Sequence, residues 1–300
     1  MRTFINNHIQ FKKKNIFDMV NVFLLTVILL LIVYPLIYVL SASFSDAQQV
    51  IAGNVYLFPV DFTVESYVSV FKNQNILRGF LITVFVTFFG TIINLIMTIL
   101  AAYPLSRKDL NGKNIIMVFI TITMFFSGGI IPTYLIIQKL GLINNLLVLI
   151  LPGAISTYNL IIMRTFFQTS IPYELQEAAF IDGCSNSKAL LRIILPLSKP
   201  IIAVIALYYA VAHWNAYFNA MMYLTKRALY PLQLVLKEIL IQSQMTSMLQ
   251  MDTDSLLQQA LLGETIKYSV IVISSLPMLI IYPFIQKFFV KGVMIGAVKG

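Results

Sequence analysis

Six long apolar runs alternate with polar segments along this 300-residue chain, at about 16–41, 80–103, 115–137, 146–167, 201–224 and 268–289. Each is close to the ~20 residues that cross a ~30 Å hydrocarbon layer as a helix. Their apolar positions are not confined to one stripe, as they would be on the surface helix of a soluble domain. The pattern predicts an all-α fold, a polytopic membrane protein with six transmembrane helices. The first run follows Lys12, Lys13 and Lys14, as the core of a signal peptide would. It is longer than the ~7–15 residues of such a core and is expected to be a retained anchor.

One interruption stands apart. Between the fourth and fifth runs the chain reads QTSIPYELQEAAFIDGCSNSKALLRIILPLSKP, residues 168–200. Pro172 suits the first turn of a helix, where its missing N–H is not needed. Glu174 and Glu177 favour that end through the helix dipole. The predicted helix continues through Leu175, Ala178, Ala179 and Ile181, and its small residues let another backbone approach closely. Asp182-Gly183 is expected to break it, since glycine takes the left-handed conformation without strain. Ser185 or Asn186 can cap a second short helix, which Pro196 is expected to end before Pro200 opens the fifth span. The result is a helix–turn–helix bracket with an apolar and a charged face. An interfacial hairpin that only fastens the loop to the membrane would show the same pattern.

The loops on the opposite side are also patterned. In 42–79, Thr63 can cap a short helix carrying Tyr67 and Phe71. In 225–267, Pro231 is a plausible helix start, and Asp252, Asp254 and Glu264 make the rest of that loop polar.

Composition supports the membrane reading. Only 11% of residues are charged and 59% are hydrophobic, whereas a soluble domain carries about 25% charged residues. The net charge of +9 reads as topology. Segments 1–15, 104–114, 169–200 and 290–300, with the adjoining span ends, hold twice as many basic residues as the opposite segments. Basic residues mark the cytoplasmic side, so both termini and the bracket are expected there. No basic face with interleaved aromatics points to nucleic acid. The single cysteine, Cys184, excludes an internal disulfide.

The chemistry of the spans excludes more than it specifies. No G-x-x-x-x-G-K-[ST] string occurs, so ATP must be hydrolysed elsewhere if it is used. Ionisable residues, the usual marks of proton relays, are nearly missing from the spans. Arg164 and Lys287 lie near span ends, where snorkelling explains them. His213 is expected to be a hydrogen-bonded packing residue. A membrane enzyme would need a nucleophile, base or metal ligands, and no HExxH, aspartate pair or Ser/His/Asp set is present. A channel would need charged rings along a lumen, and none is evident.

What the spans do carry is neutral polarity. Tyr208, Asn215 and Asn219 recur at i, i+7, i+11 on one face of a continuous fifth span, with Tyr209, Trp214 and Tyr217 nearby. Tyr158 and Asn159 repeat this chemistry on the fourth span, and Asn94 lies inside the second. Amides and phenols can hydrogen-bond sugar hydroxyls, and aromatic faces stack on sugar rings. A path of this kind suits an uncharged or weakly charged glycan. An interfacial aromatic belt with interhelical hydrogen bonds explains the same residues.

Glu177-Ala178-Ala179, three residues, Gly183, nine residues, then Ile193-x-Leu195-Pro196 resembles the EAA signature of permease subunits of ATP-binding-cassette importers. Further stretches are similar to the carbohydrate-uptake branch, which includes maltose-type permeases and importers of complex oligosaccharides. They are Gly128–Asn145, Leu151–Phe167, His213–Leu224, Tyr230–Leu240 and the terminal VKGVMIGAVKG. Gly128-Gly129-Ile130-Ile131-Pro132 points to the oligosaccharide group. Cys184 departs from the signature, where a small residue is usual.

The resemblance implies a type I importer permease domain over 16–289. Its cytoplasmic coupling loop, 169–200, would sit in a cleft of a separate ATPase. Glu177 and Asp182 would lie at that contact, Ala178 and Ala179 would allow close approach, and Gly183 would set the turn, with Ile193, Leu195 and Pro196 completing the signature. The tail 290–300, with Lys291, Gly296 and Lys299, could reach the ATPase dimer. The implied partners are a homologous second permease, two ATPase subunits, an extracellular solute-binding protein, a sugar and membrane lipid, in the cytoplasmic membrane. No cofactor is expected on this chain, since ATP and magnesium would belong to the ATPase. The alternatives are an importer of the same architecture for a non-sugar solute, or a membrane-embedded enzyme.

Overall fold

A computed structural model describes residues 16–248, 263, 265–283 and 286. Its contacts divide the chain into two compact units, Met1–Tyr67 with Met251–Val272, and Val68–Gln250 with Ile273–Gly300. All regular structure among the described residues is helical. Among the described residues three helices are long and apolar enough to cross a membrane, or up to six spans if each bent helix pair counts as one.

In the first unit, α1 (Ile16–Ser43) is apolar and exposed over most of its length, as a lipid-facing helix should be, until Tyr38 and Val39 are half-buried and Ser41–Ser43 buried. The segment after it is folded. Asp46 caps α2 (Ala47–Ile51) by accepting the Gln48 N–H at 2.9 Å. Ala42, Val50 and Val55 form a small core with Tyr38, Val60 and Tyr268. Four hydroxyls cross-link it: Ser66 donates to the Ser43 carbonyl at 2.9 Å, and Ser43–Tyr67 and Ser66–Ser269 pair at 2.8 Å. The helix expected after Thr63 is α3 (Glu65–Lys72), and the Thr63 hydroxyl accepts the Glu65 N–H at 3.2 Å.

The second unit is organised around α4 (Gln74–Ser106). Asn73 caps it by accepting the Asn75 N–H at 3.0 Å. Its buried face carries Gly79, Thr83, Gly90, Asn94, Thr98 and Ala102, small or polar residues four or seven apart. Small residues let helices approach closely in lipid. Against α4 pack α7 (Thr157–Thr169), α11 (Lys199–Trp214) and α13 (Leu232–Met248). The Thr83 hydroxyl accepts the Leu232 N–H at 2.8 Å, one of the donors at a helix start that need an outside partner. The helix α14 (Thr265–Pro283) gives its residues up to Val272 to the first unit and those from Ile273 to the second.

Three expected spans are not single straight helices. The run 115–137 is α5 (Lys113–Phe125) and α6 (Ile130–Lys139), bent by 111°. The bend passes through Gly129 at φ +84°, a conformation that glycine accepts without strain. The run 146–167 begins as two tight turns, Leu146–Leu149 and Leu151–Gly153, and bends by 50° into α7. The run 201–224 stops at Trp214 and resumes as α12 (Phe218–Tyr223). Asn215 turns its side-chain amide back onto the Val211 carbonyl at 2.9 Å, the local bonding by which asparagine favours helix ends. Segments 1–15 and 290–300, the span end 287–289, and Asp252, Asp254 and Glu264 lie outside the described residues.

Candidate functional site

The bracket forms at the expected place, with one correction. Its first arm is α8 (Tyr173–Ile181), with Pro172 at the position just before it. The turn is a Schellman motif. The Gly183 N–H donates to the Phe180 carbonyl at 3.0 Å, the Cys184 N–H to that of Ala179 at 2.9 Å, and Gly183 sits at φ +74°. Ser185 then caps α9 (Asn186–Ala189) by accepting the Lys188 N–H at 3.4 Å. Pro196, however, does not end the second arm. A wider helical turn over Leu190–Ile194, with the Leu195 N–H on the Leu190 carbonyl, leads into α10 (Leu195–Leu197). Such a turn shifts the hydrogen-bond register just where proline lacks its N–H. The 85° bend into α11 follows at Ser198.

The two alanines of the signature differ in burial. Ala179 is buried with Gln176, while Glu174, Leu175, Glu177, Ala178, Ile181 and Asp182 lie on the exposed side of α8. Ile181 is 87% exposed. The second arm buries Ala189, packs Leu190 and Ile194 against α4, α7 and α11 core residues, half-buries Ile193 and Leu195, and exposes Leu191, Pro196 and Leu197. The bracket therefore presents a surface of three carboxylates mixed with apolar side chains, standing on a buried base.

That base includes contacts that sequence reasoning missed. Arg107, directly after α4, makes a two-pronged pair with Asp109 and donates to the Asn186 side-chain carbonyl. Its guanidinium lies 4.8 Å from the centre of the Phe180 ring, and the Lys108 ammonium lies 4.3 Å from that of Tyr173. Lys113 donates to the Arg107 carbonyl at 2.7 Å. Arg164, expected only to snorkel, donates to the Leu105 carbonyl at 2.9 Å. The hydrogen bond from Arg107 is the main reason that the Asp109 carboxyl is held below its ordinary value of 3.8. Since the folded value is the lower one, the pair is lost only as the pH falls through that value and is ionised at neutral pH.

The expected substrate path fares differently from residue to residue. Tyr158, 53% exposed, and Tyr208 come together with ring centres 6.4 Å apart. Trp214 is only 4% exposed; its N–H donates to the Ser274 carbonyl at 2.8 Å and Phe80 meets it edge-on, as in a packed core. Asn159 is buried as well. Asn215 and Asn219 are exposed, but the break after Trp214 removes the single helical face that was expected to align them with Tyr208.

A buried polar belt lies between α4, α7 and α11 instead. Asn94, 2% exposed, donates to His213 Nε2 at 3.0 Å and to the Gly153 carbonyl at 3.4 Å. The Tyr209 hydroxyl lies 2.7 Å from that of Thr98 and accepts the Ser156 N–H at 2.9 Å. The available signal was the recurrence of Gly, Thr and Asn along one face of α4, which hydropathy averages away. Among the described residues, no group of three His, Cys, Asp or Glu could hold a metal ion.

No family model matches the chain. Individual proteins do. It is 42% identical over 290 residues to the polygalacturonan/rhamnogalacturonan transport system permease protein YtcP of Bacillus subtilis, covering 96% of this chain and 100% of that one. To protein LplC of the same organism it is 41% identical over 290 residues, 96% and 97% of the two chains. The melibiose/raffinose/stachyose import permease protein MelC, also of B. subtilis, is 26% identical over 249 residues, 82% and 84% of the two. Among solved structures, one chain in the crystal structure of a bacterial ABC transporter involved in the import of the acidic polysaccharide alginate superposes with a TM-score of 0.83. It is 32% identical and covers 96% of this chain and 100% of that one.

Proposed function

Because the chain belongs to the permease subunits of carbohydrate ATP-binding-cassette importers, we propose that it forms half of the membrane path for an oligosaccharide delivered by an extracellular binding protein. The chain is a multi-pass membrane component of such a transporter and is not its catalytic subunit. A homologous second permease supplies the other half of the path, and two ATPase subunits, with their ATP and magnesium, supply the energy. The observation that carries this reading is the Schellman-ended α8, with Glu177, Ala178 and Asp182 on its exposed side above a buried base. That surface docks in the ATPase. When the ATPase subunits close, the bracket is pushed and the spans tilt, alternating access to the path. The tail with Lys291, Gly296 and Lys299 adds a second ATPase contact.

Of two relatives with nearly full-length overlap, one is named for polygalacturonan and rhamnogalacturonan and the other belongs to a transporter described as importing the acidic polysaccharide alginate. The exposed phenol Tyr158, the half-buried phenol Tyr208 and the exposed amides Asn215 and Asn219 are neutral groups. On this reading they bind sugar hydroxyls and ring faces, while any carboxylates of the cargo are met by the second permease.

The test is uptake by cells in which this chain is the only source of the subunit. Removing the chain should abolish growth on one class of oligosaccharide, uronic or neutral, and leave growth on the monosaccharides intact. Glu177→Lys reverses one charge of the docking surface and should cut uptake by about tenfold, some 1.4 kcal/mol, with the membrane content of the protein unchanged. Growth on every oligosaccharide without the chain, or full uptake with Glu177→Lys, contradicts the reading.

A further inference from the structure

We infer that Arg107 is the positioning residue that carries movement of the bracket into α4 and α5; this rests on the docking role proposed for α8. A basic residue that only sets topology needs no particular partner and stands in water. The Arg107 side chain is only 13% exposed. Its planar fork is used on both edges and on a face. Nε donates to Asp109 at 2.7 Å and Nη2 joins the same carboxylate, while Nη1 donates to Asn186. The face covers Phe180. A lysine could supply the charge but not this set of contacts.

The partners lie on both sides of the turn. Phe180 belongs to α8 and Asn186 begins α9, so one guanidinium ties together the two arms that meet at Gly183. Lys108 over Tyr173 adds a second point at the start of α8. On the other side, Arg107 is the residue that ends α4, and its carbonyl receives Lys113, the first residue of α5.

Chain connectivity explains why such a tie is needed. The bracket continues directly into α7 through Ser170–Pro172 and into α11 through Ser198. A push on it therefore reaches the fourth and fifth spans through the backbone. Neither α4 nor α5 adjoins the bracket in the chain, and beside the apolar packing of Leu190 and Ile194 and the Arg164 contact to Leu105, the Arg107 contacts tie the inner end of α4 to the bracket itself. Without them the arms still meet the ATPase, but the inner end of α4 follows them through apolar packing and the Arg164 contact alone, and so less closely.

The experiment uses the complete transporter in proteoliposomes and measures ATP hydrolysed per oligosaccharide taken up. Arg107→Ala should lower uptake by about tenfold while most of the hydrolysis persists, so that the ratio rises by about the same factor. Asn186→Ala should raise the ratio in the same direction and add nothing in the double variant, because both act through one contact. Arg107→Lys should fall between the wild type and Arg107→Ala. An unchanged ratio in Arg107→Ala, or parallel loss of uptake and hydrolysis, overturns the inference. If Arg107→Ala does not assemble, a wild-type ratio in both Arg107→Lys and Asn186→Ala overturns it equally. Glu177→Lys separates the two levels. Full uptake there defeats the docking role itself, whereas loss there with normal coupling in the Arg107 series defeats only this inference.

Discussion

Gly183→Val should reduce uptake by about a hundredfold and barely change the melting temperature of the assembled protein. Gly183 sits at φ +74°, where a β-branched residue is strained by about 1–3 kcal/mol. Nothing lies within 4 Å of the position a Cβ would take, so there is no clash to spread through the fold. The strain is relieved locally, by opening the turn in which Gly183 and Cys184 donate to Phe180 and Ala179. Opening it moves α9 relative to α8 and displaces the docking surface as a unit, which is why the effect should exceed that of one reversed charge. Gly183→Asn is the control, because asparagine visits the left-handed region more readily and should retain much of the uptake. Uptake by the valine variant at the wild-type rate would contradict the account, and so would global unfolding.

Gly90→Ala should do the opposite and destabilise the bundle more than its size suggests. An added Cβ would lie 2.6 Å from His213 Nε2 and 2.9 Å from two ring carbons. The imidazole cannot give way as the end of a long side chain would, because Asn94 holds it at 3.0 Å between α4 and α11. Overpacking of this kind costs about 1–3 kcal/mol. Displacing the ring also loses a net hydrogen-bond contribution of about 1 kcal/mol. Together these should lower the melting temperature by several degrees, at about 2–4 °C per kcal/mol for chains of this size. His213→Ala in the Gly90→Ala background should restore most of the loss, since it removes the obstacle and Asn94 keeps the Gly153 carbonyl. Additive destabilisation in the double variant would show that the close approach is not the cause.

What the sequence made legible follows from local rules. Ser185 and Thr63 cap the helices that follow them, Gly183 turns the bracket, and α13 begins one residue after Pro231. Each depends on the conformational limits or hydrogen-bonding reach of one residue and its near neighbours. The apolar runs also carried the all-α class, because composition alone separates a lipid solvent from water.

Direction was not legible. Hydropathy records how apolar a run is, not whether it is straight, so it gives no sign of the 111° turn at Gly129 or of the stop at Trp214. The polar stripe expected on the fifth span depends on a straight helix there. Pro196 was expected to stop a helix that a wider turn carries past it. Arg107 and Arg164 carried one visible property, their charge. Their partners Asn186, Phe180 and the Leu105 carbonyl are distant in sequence, and only folding brings them together.

In the proposed mechanism the bracket faces the cytoplasm and is gripped there by the ATPase. Cys184, next to the turn glycine and partly exposed, is the only cysteine in the chain and reports on this directly. A membrane-impermeant maleimide should label it in inverted vesicles stripped of the ATPase, leave it untouched in intact cells, and be blocked once the ATPase subunits are added back. Labelling from outside the cell, or equal labelling with the ATPase bound, would contradict the account.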